Sequence, residues 1–199
     1  MEIHISKCNR KMGAVPSFSL PPVTTCTNCA SCAKKCYARR MAARYPSVAR
    51  AYEDNLCAVR SDLAGAFAQI ERAARLSSVF RYHVSGDIPG ADYFAQMVET
   101  ARRVPSCTFL AFTKNYTVVN AYIDNGGAIP ENLKIIFSGW GSALRPKNPH
   151  GMPESDVIFK GQLAPVGEMI CGGNCADCRC QGVGCWTIQP GQKIYFYEH

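Results

Sequence analysis

Four cysteines stand within eleven residues, Cys26, Cys29, Cys32 and Cys36, in the spacing C-x2-C-x2-C-x3-C. Loops of two and three residues can wrap four thiolates around one inorganic centre, and bacterial ferredoxins use the same run for iron–sulfur clusters. The dense packing favours a [4Fe–4S] cluster over Zn2+, because zinc ribbons pair two distant C-x2-C knuckles. A second run, Cys171, Cys175, Cys178, Cys180 and Cys185, reads C-x3-C-x2-C-x-C-x4-C, with Gly172, Gly173, Gly182 and Gly184 among them. Glycines let a backbone fold tightly and turn its N–H groups toward sulfur, so a second, auxiliary cluster is expected there. Five thiols exceed four places. Cys171, Cys175, Cys178 and Cys185 are the expected ligands and Cys180 the reserve; the fifth thiol is either free or a ligand of the N-terminal centre. The alternatives are a structural zinc site, or one zinc ribbon built from both runs. Cys8, Cys57 and Cys107 stand apart.

A scaffold must hold these two ends. After Cys36 the chain reads as helical: Pro46 suits a first helical position, and Leu56, Val59, Leu63, Phe67 and Ile70 recur at three- and four-residue intervals as one apolar stripe. Three β-like runs follow at 79–84, 107–112 and 133–137, separated by two stretches that each hold a helix. Asp92 is expected to cap the first of these helices, and Asn125-Gly126-Gly127 to stop the second. Short runs at 157–159 and 194–197 add strands. Such alternation predicts an α/β fold with parallel strands and crossover helices. A full eight-stranded barrel needs about 250 residues, so 199 residues predict an incomplete parallel β/α (partial TIM-type) barrel of about four to six strands. One domain is expected, with 1–36 as first strand and cluster loop, 37–160 as β/α core, and 161–199 as a cysteine-rich C-terminal segment.

Ligands of parallel β/α folds sit beyond the carboxyl ends of the strands. Those ends read His83-Val84-Ser85-Gly86-Asp87, Thr113-Lys114-Asn115 and Ser138-Gly139-Trp140. Asp87 could accept from an amine, Lys114 could meet a carboxylate or phosphate, and Ser138 is a small neutral hydrogen-bonder. For His83 the alternative is a satisfied strand histidine, and for Asp87 a cap or turn residue.

No apolar run approaches the roughly 20 residues of a membrane-spanning helix, and the N-terminus lacks a secretory apolar segment. A cytoplasmic protein without membrane contact is expected, where thiols stay reduced and twelve cysteines point to metal rather than disulfides. The net charge of +7 permits nucleic-acid contact but no helix-turn-helix, zinc-finger or RNA-recognition signature accompanies it.

Together, Lys11-Met12-Gly13, Ser17 through Pro21, Cys36-Tyr37-Ala38, Ser85-Gly86-Asp87, Thr113-Lys114, Ser138-Gly139-Trp140 and the C-terminal cysteines resemble the phage gene-product-88-like family over nearly the whole chain. The resemblance implies a phage or mobile-element origin and a site of action in the host cytoplasm. More distantly, the layout is similar to radical S-adenosylmethionine (SAM) enzymes, which place a three-cysteine loop after the first strand of a partial barrel. That resemblance implies Cys29, Cys32 and Cys36 as ligands of an open cluster, with Ser85, Gly86 and Asp87 on the methionyl amine of SAM and Lys114 and Ser138 lining its pocket. The spacing departs from the usual C-x3-C-x2-C, and Cys26 is an extra thiol that could close the fourth iron position. The expected function is therefore a radical-SAM-like enzyme served by an electron donor. The alternatives are an iron–sulfur electron carrier or redox sensor, and a zinc-stabilised nucleic-acid-binding module.

Overall fold

The central strands are rich in apolar residues on successive positions, and both of their faces are buried, as expected for parallel strands covered on two sides. The computed structural model describes residues 1–9 and 11–198. The strands are β1 (Ile5–Ser6), β2 (Ser17–Phe18), β3 (Val79–Tyr82), β4 (Thr108–Thr113), β5 (Leu133–Ser138), β6 (Glu154–Ile158), β7 (Met169–Ile170) and β8 (Lys193–Tyr197). The helices are α1 (Tyr37–Arg44), α2 (Pro46–Ser61), α3 (Leu63–Ala74), α4 (Ala91–Arg103), α5 (Tyr116–Asp124) and α6 (Cys175–Gln181). One sheet runs β1-β2-β3-β4-β5-β6-β8-β7. Every pairing is parallel except β1 with β2.

The strand–helix–strand rhythm expected from the sequence is present, with strands in chain order from β2 to β6. The sheet stays open, with β1 and β7 at its edges, so the architecture is a mixed α/β sheet rather than a closed barrel. Phe80, Tyr82, Phe109, Ala111, Leu133, Ile135 and Phe137 face the helices in one apolar core. Val79, Leu110 and Ile136 face the other way, into a second core with Trp186, Ile188 and Ile194. That second face is covered by the C-terminal cysteine segment, not by helices of the β/α wind.

Two local expectations change. The single apolar stripe expected from Leu56 to Ile70 is divided between α2 and α3, because Asp62 interrupts it and accepts the Gly65 N–H at 2.8 Å as the cap of α3. Asp92 lies inside the first turn of α4, whose cap position is the extended Gly90. There its carboxylate favours the helix through the dipole rather than through a capping bond.

At the end of β3 the chain turns through a left-handed residue, His83, with φ 56°. Its ring is buried, Nε2 lies 2.9 Å from the Tyr93 hydroxyl, and burial lowers its pKa from 6.5 to about 3. Above pH 6.5 the ring is neutral in both folded and unfolded chains. As pH falls from 6.5 toward 3, the unfolded chain takes up a proton that the buried ring refuses, and stability drops by up to about 1.4 kcal/mol per pH unit. His83→Asn, which tolerates the left-handed backbone, should remove this contribution, so that in urea unfolding between pH 6.5 and 4 the variant's stability shifts, relative to wild type, toward rising as pH falls. An unchanged slope would show that His83 is not held neutral.

Candidate metal centres

The loop between β2 and α1 carries the first four cysteines. Two short 3-10 turns, Cys29–Ser31 and Ala33–Lys35, bend it, and Asn28 opens it in a left-handed conformation at φ 55°. Such tight turns keep the thiols on one small patch. Cys26 and Cys32 each lie within electrostatic reach of both Cys29 and Cys36. Burial pushes the Cys26 thiol up to about 12 and raises that of Cys32.

Side chains of the sheet fasten this loop across the strand ends. Asn28 donates to the Lys114 carbonyl at 2.9 Å, and Thr25 Oγ1 accepts from the Asp87 N–H at 3.4 Å. Cys26 feels the charge of Asp87, and Cys32 that of Lys114. Asp87 itself is almost fully buried. Its Oδ1 accepts from Thr113 Oγ1 at 2.6 Å and from the Ile88 N–H at 2.7 Å, and its Oδ2 accepts from the Lys114 N–H at 2.8 Å. Burial pushes this carboxyl up to about 6, against the pull of those three donors. Lys114 Nζ donates to Ser138 Oγ at 2.8 Å. The expected strand-end residues therefore meet as a chain from Asp87 through Lys114 to Ser138, beside the cysteine loop. Ser85 and Gly86 form the turn: Ser85 accepts the Leu20 N–H at 3.0 Å, and Gly86, at φ +82°, leaves room for Leu20 that a Cβ would fill at 2.8 Å.

In the second run, Asn174 caps α6 by accepting from the Ala176 and Asp177 N–H groups, at 2.9 and 3.3 Å. Cys175 and Cys178 are one helical step of three apart and share a face; Cys180, two residues on, does not share it and is exposed. Cys178 lies within electrostatic reach of Cys171 and Cys175, and Cys185 of all three. These four thiols, without Cys180, pack against the second apolar core. Burial pushes Cys185 up to about 12. The Gly173 N–H donates to Cys171 Sγ at 3.4 Å, the Gly172 N–H to the Cys178 sulfur, and Arg81 Nη1 to Cys175 Sγ at 3.3 Å. Trp186 Nε1 donates to the Cys175 carbonyl at 2.9 Å and roofs the group.

Arg81 and Tyr37 join the two groups, and sequence reading assigned neither a role. Arg81 points from β3 into the second face and stacks on Phe112, its guanidinium 5.0 Å from the ring centre. A lone Arg between two aromatic residues of a β-like run, Phe80 and Tyr82, is the signal the sequence carries. Tyr37 follows Cys36 directly and donates its hydroxyl to the Val84 carbonyl. Burial pushes it up to about 12, with Arg81, Cys36 and Cys175 all acting on it. The Lys11 ammonium lies 5.6 Å from the Tyr37 ring centre, and the Lys11 carbonyl accepts the Cys175 N–H at 3.3 Å.

The donor set suits a metal cluster. Each group offers four soft thiols, N–H donors or cations aimed at sulfur offset negative charge, and the raised thiols must lose protons to a metal before they bind it. Among the described residues, no three His, Cys, Asp or Glu side chains are drawn together tightly enough to hold a single metal ion. A cleft of about 740 Å³ lies elsewhere, between Arg145, Glu154, Asp156, Lys193 and Tyr195. No helix among the described residues is long and apolar enough to cross a membrane.

A family model described as gene product 88 matches residues 4–162, a span that holds the first four cysteines and ends before Cys171. No curated protein and no solved structure matches the chain.

Proposed function

The chain belongs to the gene product 88 family, and from that premise we propose that it is a two-centre iron–sulfur protein that moves single electrons. One [4Fe–4S] cluster would be held by Cys26, Cys29, Cys32 and Cys36, and the other by Cys171, Cys175, Cys178 and Cys185. The observation that carries this reading is the junction at Tyr37 and Lys11: Tyr37 follows Cys36, the Lys11 ammonium lies 5.6 Å from its ring centre, and the Lys11 carbonyl accepts the Cys175 N–H at 3.3 Å, so the two cysteine segments adjoin there. When bound, the clusters supply reversible one-electron chemistry. The chain's own residues do the rest: Arg81 and Lys114 offset charge beside the sulfurs, the Gly172 and Gly173 N–H groups turn toward them, and Trp186, Ile188 and Ile194 exclude water from the inner centre.

Electron paramagnetic resonance of the reduced protein tests this. Two centres that meet at Tyr37 should couple magnetically, so the wild-type spectrum should differ from the sum of the spectra of Cys36→Ala and Cys185→Ala. A simple sum would place the centres apart and overturn the reading.

A second reading has its own observation in support. The first cysteine loop leaves the end of β2 and lies beside Lys114 and Ser138 at the ends of β4 and β5. In that reading the open sheet is part of a barrel, Cys26 is no ligand, and Cys29, Cys32 and Cys36 leave one iron open to SAM in a radical-SAM-like enzyme. The burial of Asp87 and the three donors already on its oxygens, Thr113 Oγ1 and the Ile88 and Lys114 N–H groups, weigh against it, because an amine would have to compete with them.

A further inference from the structure

We propose that the face formed by the first cysteine loop and α1 docks a small acidic one-electron carrier protein, which reduces the N-terminal centre. The inference rests on the two-centre reading above. Its basis is an asymmetry of charge: residues 3–52 contain nine Lys and Arg and no Asp or Glu, whereas the remaining residues hold 13 Lys and Arg against 15 Asp and Glu. All of the protein's positive excess thus belongs to the segment that carries the metal loop.

The structure puts that excess on the surface. Lys34, Lys35, Arg39, Arg40 and Arg44 are exposed, and Lys34 and Lys35 stand between two of the thiols, Cys32 and Cys36. Beside them opens a cleft of about 540 Å³, walled by Lys34, Lys35, Arg40 and Lys160. Its one acid, Glu198, is already paired with Lys35 at 2.5 Å. Met41 and Tyr45, each about two-fifths exposed, supply apolar contact among the cations. Electron-transfer interfaces are small, with charge that steers encounter and a modest apolar centre that seats the partner. The cations converge on the metal loop itself, which favours a redox partner over nucleic acid. In the docked pair one electron leaves the reduced carrier and enters the oxidised centre; no bond forms or breaks.

The test uses an acidic plant-type [2Fe–2S] ferredoxin as the probe, with the iron-loaded wild type and an Arg40→Glu/Arg44→Glu variant. At low ionic strength, reduction by the ferredoxin should slow at least tenfold in the variant and lose its salt dependence, while reduction by dithionite stays unchanged. Arg72→Glu, on α3 outside the basic segment, should change neither rate. Equal ferredoxin rates in variant and wild type would overturn the proposal. So would loss of single-stranded oligonucleotide binding with an unchanged ferredoxin rate, which would make nucleic acid the occupant. Wild-type protein that holds no iron would refute the two-centre reading itself. Ferredoxin binding to that iron-free chain, lost in the variant, would still support the docking face.

Discussion

Cys36→Ala should halve the bound iron, from about eight to about four atoms per chain, and cost several kcal/mol of stability, because metal-binding free energy is folding free energy in sites of this kind. The effect is large because Cys36 ends the cluster loop and begins α1, so the centre also anchors the helix that carries Tyr37. Cys26→Ala should do the same if all four thiols are ligands. Cys180→Ala should change neither iron nor stability, since that thiol is exposed and off the shared face of α6. Iron analysis on anaerobically purified variants decides each case. Full iron in Cys26→Ala, with a spectrum that responds to SAM, would select the three-thiolate enzyme over the carrier. Full iron in Cys36→Ala would remove the N-terminal centre from the account.

Asp87→Ala should destabilise the fold by about 3–9 kcal/mol. The substitution strips the acceptor from Thr113 Oγ1 and from the Ile88 and Lys114 N–H groups, and each buried donor left alone costs about 1–3 kcal/mol. Those bonds tie the end of β3 to the end of β4, directly beneath the first cysteine loop, so iron retention should also weaken. Urea unfolding and iron content read both effects. A loss below about 1 kcal/mol, together with loss of SAM binding, would return Asp87 to the role of amine ligand that its resemblance to the SAM-binding stretch implies.

The pH dependence around these groups has two opposing parts. The Asp87 carboxyl is pushed up to about 6, so the folded chain keeps its proton while the unfolded chain ionises from 3.8, and stability falls as pH rises across that window. His83 acts in the opposite sense as pH falls from 6.5. The two slopes partly cancel between pH 4 and 6, which is why the His83 variant, rather than the wild type alone, exposes either.

Much of this was legible in the residues. Short β-like runs at 79–84, 107–112 and 133–137 marked strands, and polar residues at their ends marked the place where Asp87, Lys114 and Ser138 come together. The two cysteine runs were also legible from their spacing, but the helix α6, which sets exposed Cys180 off the face shared by Cys175 and Cys178, was not, because glycines flank that run. Contacts between distant segments were not. The C-terminal cysteines lie against the sheet face opposite the helices because Trp186, Ile188 and Ile194 bury themselves there, and no local pattern states which face such a segment will cover. Arg81 and Tyr37 acquire their places only when the segments around Lys11 and Cys175 come together. The divided helix at Asp62 shows a cap overriding a continuous apolar stripe.

The most direct test is the iron, acid-labile sulfide and zinc content of protein purified without air, read with its visible spectrum. Two [4Fe–4S] centres predict about eight irons and eight sulfides per chain and a brown protein. Stoichiometric zinc without colour would contradict the account and leave a zinc-stabilised chain with a basic face.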